Sequence, residues 1–361
     1  RTNVFNQTNF LYSLDTGSIS HTFLAGVEIG RQVTNNVRRT GQFERRSFRI
    51  PISNSITTDP ITFVTREGDA DNHSVVDITS LYIQDQIELL SQLQAVVGIR
   101  YDLFEVDFKK RNGDQTELKP KDGLLAPRFG LIFKPFEPVS IYASYSQAFV
   151  PRAGEQLTSI VVTRAVLKPE KFTTLELGFK WDIRPDLSIT GAAYRLDRTN
   201  VLNRSNTGGG SFLTKGQRTE GVELSVSGQL TPKWSVVGGY AYQDGKITST
   251  ENAAAPEGNT VPELPRHTFS MWSRYDFTPR YGAALGIINR GDMFASTDNK
   301  VRVQGFTRVD AAFFAKISKR IRMQVNIENL FDTKYIASVH NNNNATPGSP
   351  IAVRASITAN F

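Results

Sequence analysis

Apolar and polar side chains alternate along this chain in many separate segments. In residues 175–181, for example, Leu, Leu, Phe and Trp alternate with Glu, Gly and Lys, and residues 321–328 and 351–361 repeat the pattern. Because successive side chains of a β-strand point to opposite faces of a sheet, each segment is predicted to be a strand with one apolar and one polar face. The sequence predicts about 15 such strands, centred near residues 8, 26, 83, 100, 130, 142, 176, 192, 223, 240, 271, 286, 312, 325 and 356.

The lengths of the predicted strands and connections are typical of a membrane-spanning β-barrel. Many segments run about 10 to 13 residues, whereas strands of soluble proteins average about five or six, and a tilted strand crosses a bilayer in about 9 to 11. Short turns rich in Pro, Gly and Asp alternate with long polar stretches, which is the loop asymmetry of an outer-membrane barrel. The short turns are predicted near residues 15–17, 90–92, 134–137, 184–186, 231–233, 278–280 and 318–320, and the long stretches near 34–74, 109–123, 148–169, 200–215, 248–264, 294–304 and 332–350.

Three residues on the apolar phase need separate interpretation. Trp181 and Trp234 lie beside short turns, where the aromatic girdle of the periplasmic rim is expected. Core tryptophans of a soluble sheet are the alternative. Asp85 shares a predicted apolar face with Leu81 and Ile83. Either a bulge shifts the phase of that strand or the carboxylate lies near a membrane interface.

Composition narrows the class of protein. No apolar run reaches the roughly 18 to 20 residues that a membrane-spanning helix needs, and a hydrophobic content of 39% fits strands that show lipid only every second side chain. The chain has no cysteine, which fits an envelope protein and excludes disulfide scaffolds and thiolate metal sites. The net charge of +7 is interpreted either as a generally basic surface or as basic loops that attract an anionic ligand. Nucleic-acid binding is not expected, because the basic residues do not form one stripe.

The C-terminal residues carry a specific motif. Residues 326–335 read N-I-E-N-L-F-D-T-K-Y, followed by P-G-S-P at 347–350 and a last alternating segment that ends in Phe361. This run resembles the N-x-x-N-L-F-D-x-x-Y signature, the P-G-x-P-R element and the terminal aromatic residue of TonB-dependent receptors. Ile351 stands where that family usually carries Arg, so any contact of that Arg is in doubt here.

Upstream segments resemble the ferric-siderophore branch of the same family. The resemblance covers roughly residues 75 to 361, and the segments follow the family's order. They are A-P-R-F-G-L at 126–131, S-I-Y-A-S-Y-S-Q-A-F at 140–149, L-K-P-E at 167–170, L-E-L-G-F-K at 175–180, T-E-G-V-E at 219–223, P-R-H at 265–267 and G-F-T-R-V-D at 305–310.

The resemblance implies an all-β fold, a transmembrane antiparallel β-barrel of 22 strands around an N-terminal plug. Residues 1–361 are then expected to form a single partial barrel domain, approximately strands 8 to 22, with the plug, the TonB box and about seven strands outside the sequence. The start at Arg1, without Met or a signal peptide, predicts a cut through a longer protein. An incomplete sheet with unpaired edges is not expected to transport alone.

The function implied by the resemblance is TonB-dependent binding and import of ferric siderophores across the bacterial outer membrane. The expected partners are the ferric siderophore, TonB through the N-terminal segment, the receptor's own plug, membrane lipid, lipopolysaccharide and the barrel-assembly machinery, which is implied to recognise Phe361. Iron is expected only within the siderophore complex, with no resident cofactor or metal.

Ligand contacts are predicted in two long loops, because cations and aromatic faces suit an anionic iron chelate. Pairing of the same arginines with lipopolysaccharide phosphates or nearby acids is the alternative. The candidate contacts are Arg38, Arg39, Arg45, Arg46, Phe149, Arg152 and Arg164.

An enzyme is not expected, because no catalytic constellation is found and the four histidines match no metal-ligand spacing. Three alternatives stay open. The chain could come from a TonB-dependent receptor for cobalamin, haem or an oligosaccharide, or from a passive outer-membrane porin. It could also be a soluble all-β binding protein, in which the apolar phase would be buried.

Overall fold

A computed structural model of the chain describes seven ranges, and every regular element in them is a β-strand. Within these ranges no helix is long and apolar enough to cross a membrane. The all-β prediction is confirmed. The described ranges are residues 1–43, 58–66, 69–113, 115–151, 168–204, 211–250 and 255–360, with the backbone alone for 202–204 and 211–215.

The strands are numbered in chain order, and the long ones correspond to the segments predicted from alternation. They are β1 (Thr2–Thr16), β2 (Ile19–Val37), β5 (Asp71–Leu90), β6 (Leu93–Lys110), β8 (Lys121–Phe136), β9 (Val139–Val150), β10 (Glu170–Arg184), β11 (Leu187–Arg204), β12 (Ser211–Thr231), β13 (Trp234–Ile247), β14 (His267–Asp276), β15 (Tyr281–Arg290), β18 (Phe306–Lys316), β19 (Ile321–Glu328) and β22 (Ala352–Ala359). The short ones lie in the connections: β3 (Thr40–Phe43), β4 (Ile61–Val64), β7 (Glu117–Leu118), β16 (Met293–Phe294), β17 (Arg302–Val303), β20 (Ile336–Asn341) and β21 (Asn344–Pro347).

The long strands form one antiparallel sheet in which neighbours along the chain are also neighbours in space. Among the described residues it has 16 strands, in the order β1-β2-β5-β6-β8-β9-β10-β11-β12-β13-β14-β15-β18-β19-β22, with β7 paired to β6 beside this path. Each predicted segment centre falls inside one strand of the path. The remaining short strands form the hairpins β3–β4, β16–β17 and β20–β21.

Connections of the sheet alternate between short turns and long loops, as the sequence predicts. All seven predicted short turns join consecutive long strands. One predicted loop is wrong in extent, because β11 continues to Arg204 and β12 begins at Ser211, the two ends of one hairpin ladder. Most of the stretch 200–215 is therefore strand.

Several strands are longer than the alternation predicts, and β12 reaches 21 residues. The apolar pattern ends where the strands leave the predicted membrane zone, but backbone pairing continues beyond it. There Asp197 accepts from Arg195 Nε at 2.8 Å and from Arg218 Nε at 2.7 Å. Polar strand ends are predicted poorly because ion pairs replace the apolar phase that marks a strand.

Register assigns each side chain of the sheet to one of two faces. Leu224, Tyr240 and Phe269 are cross-strand partners on one face, and Ser225, Gly239 and Ser270 are partners on the other. We call these the apolar face and the polar face. On the apolar face Leu177 is 59% exposed, Leu224 51% and Ile357 71%. A soluble all-β protein would bury this face, so that alternative is contradicted.

The chain divides into two compact units. Unit 1 comprises residues 1–88, 96–129 and 147–171, and unit 2 comprises residues 89–95, 130–146 and 172–361. Unit 1 contains a small buried core of Val76, Ile78, Val106 and Phe108 near the loop ends of β5 and β6. The expected single domain, 1–361, stays a prediction.

Local contacts and position account for Asp85, Trp181 and Trp234, the three residues of the apolar phase that needed separate interpretation. The β2–β5 ladder runs without a break through the pair Phe23–Asp85, so no bulge in that ladder explains Asp85. Asp85 Oδ2 instead lies 2.8 Å from His21 Nδ1, and Thr16 Oγ1 lies 2.9 Å from His21 Nε2, beside the short turn between β1 and β2. Trp181 and Trp234 are both exposed next to short turns, which agrees with the predicted girdle.

Candidate functional site

The loop ends of β15 and β18 bring two arginines and two aromatic rings together on the polar face. Arg290, the last residue of β15, is the register partner of Phe306, the first residue of β18, and its Cζ lies 4.8 Å from the Phe306 ring centre. Tyr335 stacks on Phe306 with ring centres 4.1 Å apart. Arg308 Nη1 donates to the Tyr335 hydroxyl at 3.1 Å. We call these four residues the arginine–aromatic cluster.

Both guanidinium groups of the cluster are only partly satisfied. Arg290 donates at 2.8 Å to the carbonyls of Ile336 and Ala337, and Arg308 Nη2 donates to Asp310 Oδ2 at 2.7 Å. Among the described residues, the buried Nε atoms of Arg290 and Arg308 have no hydrogen-bond partner. A buried unpaired donor costs roughly 1–3 kcal/mol, so both guanidinium groups keep unused hydrogen-bonding capacity. Guanidinium beside aromatic rings suits a planar, oxygen-rich anion.

Asn329 holds in place the loop that carries Tyr335. It is completely buried and adopts φ +52°, a left-handed conformation that asparagine tolerates better than most residues. Its Nδ2 donates to the carbonyls of Thr333 and Ser349 at 3.0 and 2.9 Å, and its Oδ1 accepts from Thr333 N at 2.8 Å. One side chain therefore ties the two ends of the last loop together.

Two further residues of the C-terminal motifs complete this attachment. Asp332 accepts from Lys334 Nζ at 2.8 Å and from Ile351 N at 3.0 Å. These two hydrogen bonds hold the pKa of the Asp332 carboxyl below its ordinary value. Gly348 donates to the Tyr335 carbonyl at 2.8 Å and faces the Tyr335 ring so closely that any Cβ would collide with it. The motif is therefore a structural clamp that fixes Tyr335.

The neighbouring loops are linked by polar contacts around Asp298. The Ser296 hydroxyl lies 2.8 Å from Asp298 Oδ1 and from Asn342 Oδ1, and Asn342 Nδ2 donates to both carboxylate oxygens of Asp298 at 3.1 Å. Burial raises the pKa of Asp298, but the hydrogen bonds from Ser296 and Asn342 outweigh it and leave the pKa below its ordinary value. A small apolar core lies beneath these contacts, formed by Met293, Ala295, Val303 and Val339, with Ile336 packed against it.

Unit 1 has a separate polar network on its own polar face. Arg100 donates to Glu28 Oε2 at 3.0 Å and to Asp102 Oδ1 at 2.8 Å, and its Cζ lies 5.2 Å from the Tyr82 ring centre. The Ser80 hydroxyl donates to Asp102 at 2.5 Å. Glu28 and Asp102 compensate the charge of Arg100. We therefore interpret the network as structural and not as a binding site for an anion.

The ligand contacts predicted from sequence are only partly within the described residues. Arg38 and Arg39 are exposed between β2 and β3, and Arg38 N donates to the Ala70 carbonyl at 2.7 Å. Phe149 is half-buried near the end of β9. No hydrogen bond, ion pair or cation–π contact joins Phe149 to either arginine in the described ranges. Arg45, Arg46, Arg152 and Arg164 lie outside the described residues, so the predicted set stays a prediction.

The sequence analysis missed the arginine–aromatic cluster, although two of the motifs that it identified contain part of the cluster. Phe306 and Arg308 belong to G-F-T-R-V-D, and Tyr335 ends the C-terminal motif. Their meeting with Arg290 depends on strand register, which no motif states. In the part of the chain that the structure describes, no group of three or more histidine or acidic side chains is placed to hold a metal ion.

Comparison with known proteins agrees with this architecture. The profile of the family described as "TonB dependent receptor-like, beta-barrel" matches residues 1–330. The chain is 30% identical over 370 residues to "Metal-pseudopaline receptor CntO" of Pseudomonas aeruginosa, covering 98% of this chain and 51% of CntO. It is 27% identical over 381 residues to "Catecholate siderophore receptor Fiu" of Escherichia coli K12, covering 96% of this chain and 49% of Fiu.

Solved structures show the same fold. The closed form of the ferric-catecholate import receptor Fiu from Escherichia coli K12 matches with a TM-score of 0.80 at 25% identity, covering 99% of this chain and 54% of Fiu. The siderophore receptor PiuA from Acinetobacter baumannii matches with a TM-score of 0.85 at 23% identity, covering 99% of this chain and 55% of PiuA. This chain spans about half the length of the curated relatives it matches. The chain belongs to the TonB-dependent receptor family, as part of its outer-membrane β-barrel.

Proposed function

We propose that the protein containing this chain binds a ferric siderophore at the cell surface and imports it across the outer membrane with energy from TonB. The arginine–aromatic cluster is the observation that carries this proposal. It lies on the polar face at the base of the long loops, and it combines two cations, two stacked rings and two unpaired buried donors. A catecholate iron complex offers the matching groups, which are flat rings, oxygen atoms and negative charge.

A second cargo class is supported by one relative. CntO, 30% identical to this chain, is named a receptor for metal-pseudopaline. A metal chelate that is anionic through carboxylate oxygens would also suit the paired guanidinium groups of Arg290 and Arg308. Cobalamin, haem and neutral oligosaccharides each lack part or all of this combination of negative charge and oxygen acceptors.

In the proposed mechanism the long loops, the barrel wall and the N-terminal half of the receptor have different roles. Loops capture the chelate, the arginine–aromatic cluster holds it at their base, and a plug within the same polypeptide closes the passage until TonB remodels it. Arg38, Arg39, Arg45, Arg46, Phe149, Arg152 and Arg164 remain proposed contacts of the capture step. Lipopolysaccharide and the barrel-assembly machinery, through Phe361, are proposed further partners. The proposed role is transport and not catalysis, with iron as cargo and no resident cofactor.

A growth experiment tests the cargo class. The full-length receptor is expressed in an iron-limited strain that lacks its own catecholate receptors and makes no siderophore. We expect growth on the iron(III) complex of dihydroxybenzoate and none in the same strain with an empty vector. Growth supported only by haem, or loss of the difference between receptor and vector, would contradict the proposal.

A substitution in the cluster tests the site. Arg308→Lys keeps the charge but removes Nε and the planar fork, so chelate affinity is expected to fall roughly tenfold, the size of one charged hydrogen bond. The matched control is Arg302→Lys, since Arg302 is an exposed loop arginine that pairs with Asp292. Equal chelate dissociation constants for the two variants, measured by tryptophan fluorescence titration, would exclude the cluster from the binding site.

A further inference from the structure

The polar face of unit 2 contains a second concave site at the opposite, short-turn end of the strands. This cavity measures about 800 Å³, which is in the range of small-molecule sites. Its lining comes from the turns before β13 and β15 and from the adjoining ends of β14, β15, β18, β19 and β22. The residues that matter for its chemistry are Lys233, Arg274, Arg280, Phe314, Lys316 and Arg322. We call it the rim pocket.

The rim pocket has an excess of uncompensated positive charge. Arg274 pairs with Asp276 at 2.9 Å, whereas Lys233, Arg280, Lys316 and Arg322 form no ion pair within the described ranges. Further up the same wall two arginines do have acidic partners, since Arg308 pairs with Asp310 at 2.7 Å and Arg354 with Glu328 at 2.5 Å. Four cations without an ion pair therefore distinguish the described part of the pocket from that stretch of the wall.

Two of these cations lie directly opposite each other. Lys316 and Arg322 are register partners across β18 and β19 and project from the same face. Like charges at directly opposed positions destabilise a sheet, because their Cβ atoms are only about 5 Å apart. Neither residue has an acidic partner in the part of the chain that the structure describes. An anion between them would convert this repulsion into attraction.

The rim pocket repeats the chemistry of the arginine–aromatic cluster. Arg274 lies over the Phe314 ring with its Cζ 4.2 Å from the ring centre, as Arg290 lies over Phe306 at 4.8 Å. Phe306 and Phe314 are on the same strand, eight residues apart, which separates them by roughly 26 Å at the usual rise of about 3.3 Å per residue. Gln324, Ser356 and Thr358 add hydrogen-bonding groups to the lower site.

We infer that the rim pocket is an exit-side binding site for the anionic metal chelate, which the chelate occupies after it leaves the arginine–aromatic cluster and before release. This inference rests on the proposed uptake function. The rim pocket has the same chemistry as the arginine–aromatic cluster and lies at the far end of the wall. An anion that has left the cluster therefore meets favourable charge again in the rim pocket. Its cations raise the local concentration of the anion where the passage ends.

The test compares two charge-neutralised variants of the full-length receptor. Lys316→Gln with Arg322→Gln removes the opposed cations of the rim pocket. Lys319→Gln with Arg320→Gln removes two cations of the adjacent turn that do not line it. With the radioactive iron(III) complex of dihydroxybenzoate, the rim-pocket variant is expected to keep the wild-type surface affinity but to lose roughly three- to tenfold in uptake rate at saturation, because two exposed cations that attract the anion are removed. The turn variant is expected to transport like wild type.

A variant that exchanges the two cations distinguishes a loss of attraction for the anion from a folding defect. Lys316→Arg with Arg322→Lys is expected to keep uptake within about twofold of wild type, because the charges remain. Loss of uptake in the swap equal to that in the neutralised variant would overturn the inference. A neutralised variant that transports the chelate normally but lets vancomycin enter the cell would also overturn the inference. The cations would then fix the N-terminal half of the receptor in place and would not bind the chelate. Failure of the wild-type receptor to take up the chelate would instead contradict the proposed function.

Discussion

At the scale of single residues, the C-terminal motif works through hydrogen bonds and backbone conformation. Asn329 is buried, adopts a positive φ and bonds to both ends of the last loop, while Asp332 binds the amide of Ile351. Ile351 uses only its backbone for this contact, so the absence of the arginine that the family usually carries there leaves the contact intact. The motif positions Tyr335, and Tyr335 completes the arginine–aromatic cluster.

Asn329→Ala is expected to loosen the loop without unfolding the sheet. The substitution leaves the amide and carbonyl of Thr333 and the carbonyl of Ser349 without their partner, at a local cost of roughly 2 kcal/mol, or about thirtyfold in amide protection. Hydrogen exchange of residues 330–350 in detergent measures this directly. Asn343→Ala is the matched control, because Asn343 is an exposed asparagine in the same loop. Equal protection in the two variants would show that Asn329 is not the clamp.

The clamp is also expected to weaken in acid. The pKa of Asp332 is lowered from 3.8 in the folded chain, chiefly by Lys334 and then by the Ile351 amide. A group with a lowered folded pKa stabilises the fold above its unfolded pKa and loses that contribution as the pH falls through its folded value. Protection of the Ile351 amide, corrected for intrinsic exchange, should therefore be constant from pH 7 to about 4 and fall below that. In Asp332→Asn the same amide should show no such step, and an identical step in both proteins would assign it elsewhere.

At the scale of elements, alternation predicts the strands well and their ends poorly. Period-two patterns identify strands whose two faces meet lipid and water, and every predicted centre lies in a long strand. Beyond the membrane zone both faces of β11 and β12 are polar, so the pattern ends while pairing continues to Arg204 and Ser211. The short hairpins β16–β17 and β20–β21 are held by loop contacts such as Ser296–Asp298, which leave no periodic signal.

A pair of adjacent substitutions tests the assignment of faces. Leu224 lies exposed on the apolar face and Ser225 on the polar face of β12. In lipid vesicles Leu224→Arg is expected to reduce the free energy of unfolding of the full-length receptor by roughly 2–4 kcal/mol, because a cation near the bilayer midplane loses its hydration. Ser225→Arg should change it by less than about 1 kcal/mol. Urea titration followed by the heat-modifiable gel shift measures both, and a larger effect at Ser225 would reverse the two faces.

At the scale of the whole molecule, the sequence predicts the family and fold better than the site. The motifs that indicate the family are clamps and strand ends, and each can be recognised locally. The arginine–aromatic cluster instead joins residues from β15, β18 and the last loop, which become neighbours only through register. The sequence analysis placed the ligand contacts in the longest loops because arginines are visibly dense there along the chain. Arg290 and Phe306 instead stand at the ends of β15 and β18, where sequence density gives no signal.

Charge acts at this largest scale, and its contribution should be visible in kinetics. The chain carries a net charge of +7, and the polar face of unit 2 ends in four cations that form no ion pair with any described residue. Such a field steers an anionic chelate over distances up to the Debye length, about 8 Å at physiological salt. Raising NaCl from 0.02 to 0.5 M should therefore slow association of the iron(III)–dihydroxybenzoate complex with the full-length receptor by about tenfold.

The dissociation rate serves as the internal control in the same stopped-flow experiment. The proposed short contacts between the chelate and Arg308 would be partly buried and poorly screened, so dissociation should change by less than about threefold over that salt range. Salt that accelerates dissociation while leaving association unchanged would mean that the net charge does not guide the ligand. The contacts at the base of the loops would then account for both capture and retention, and the basic character of the chain would have to be assigned to its lipid surroundings.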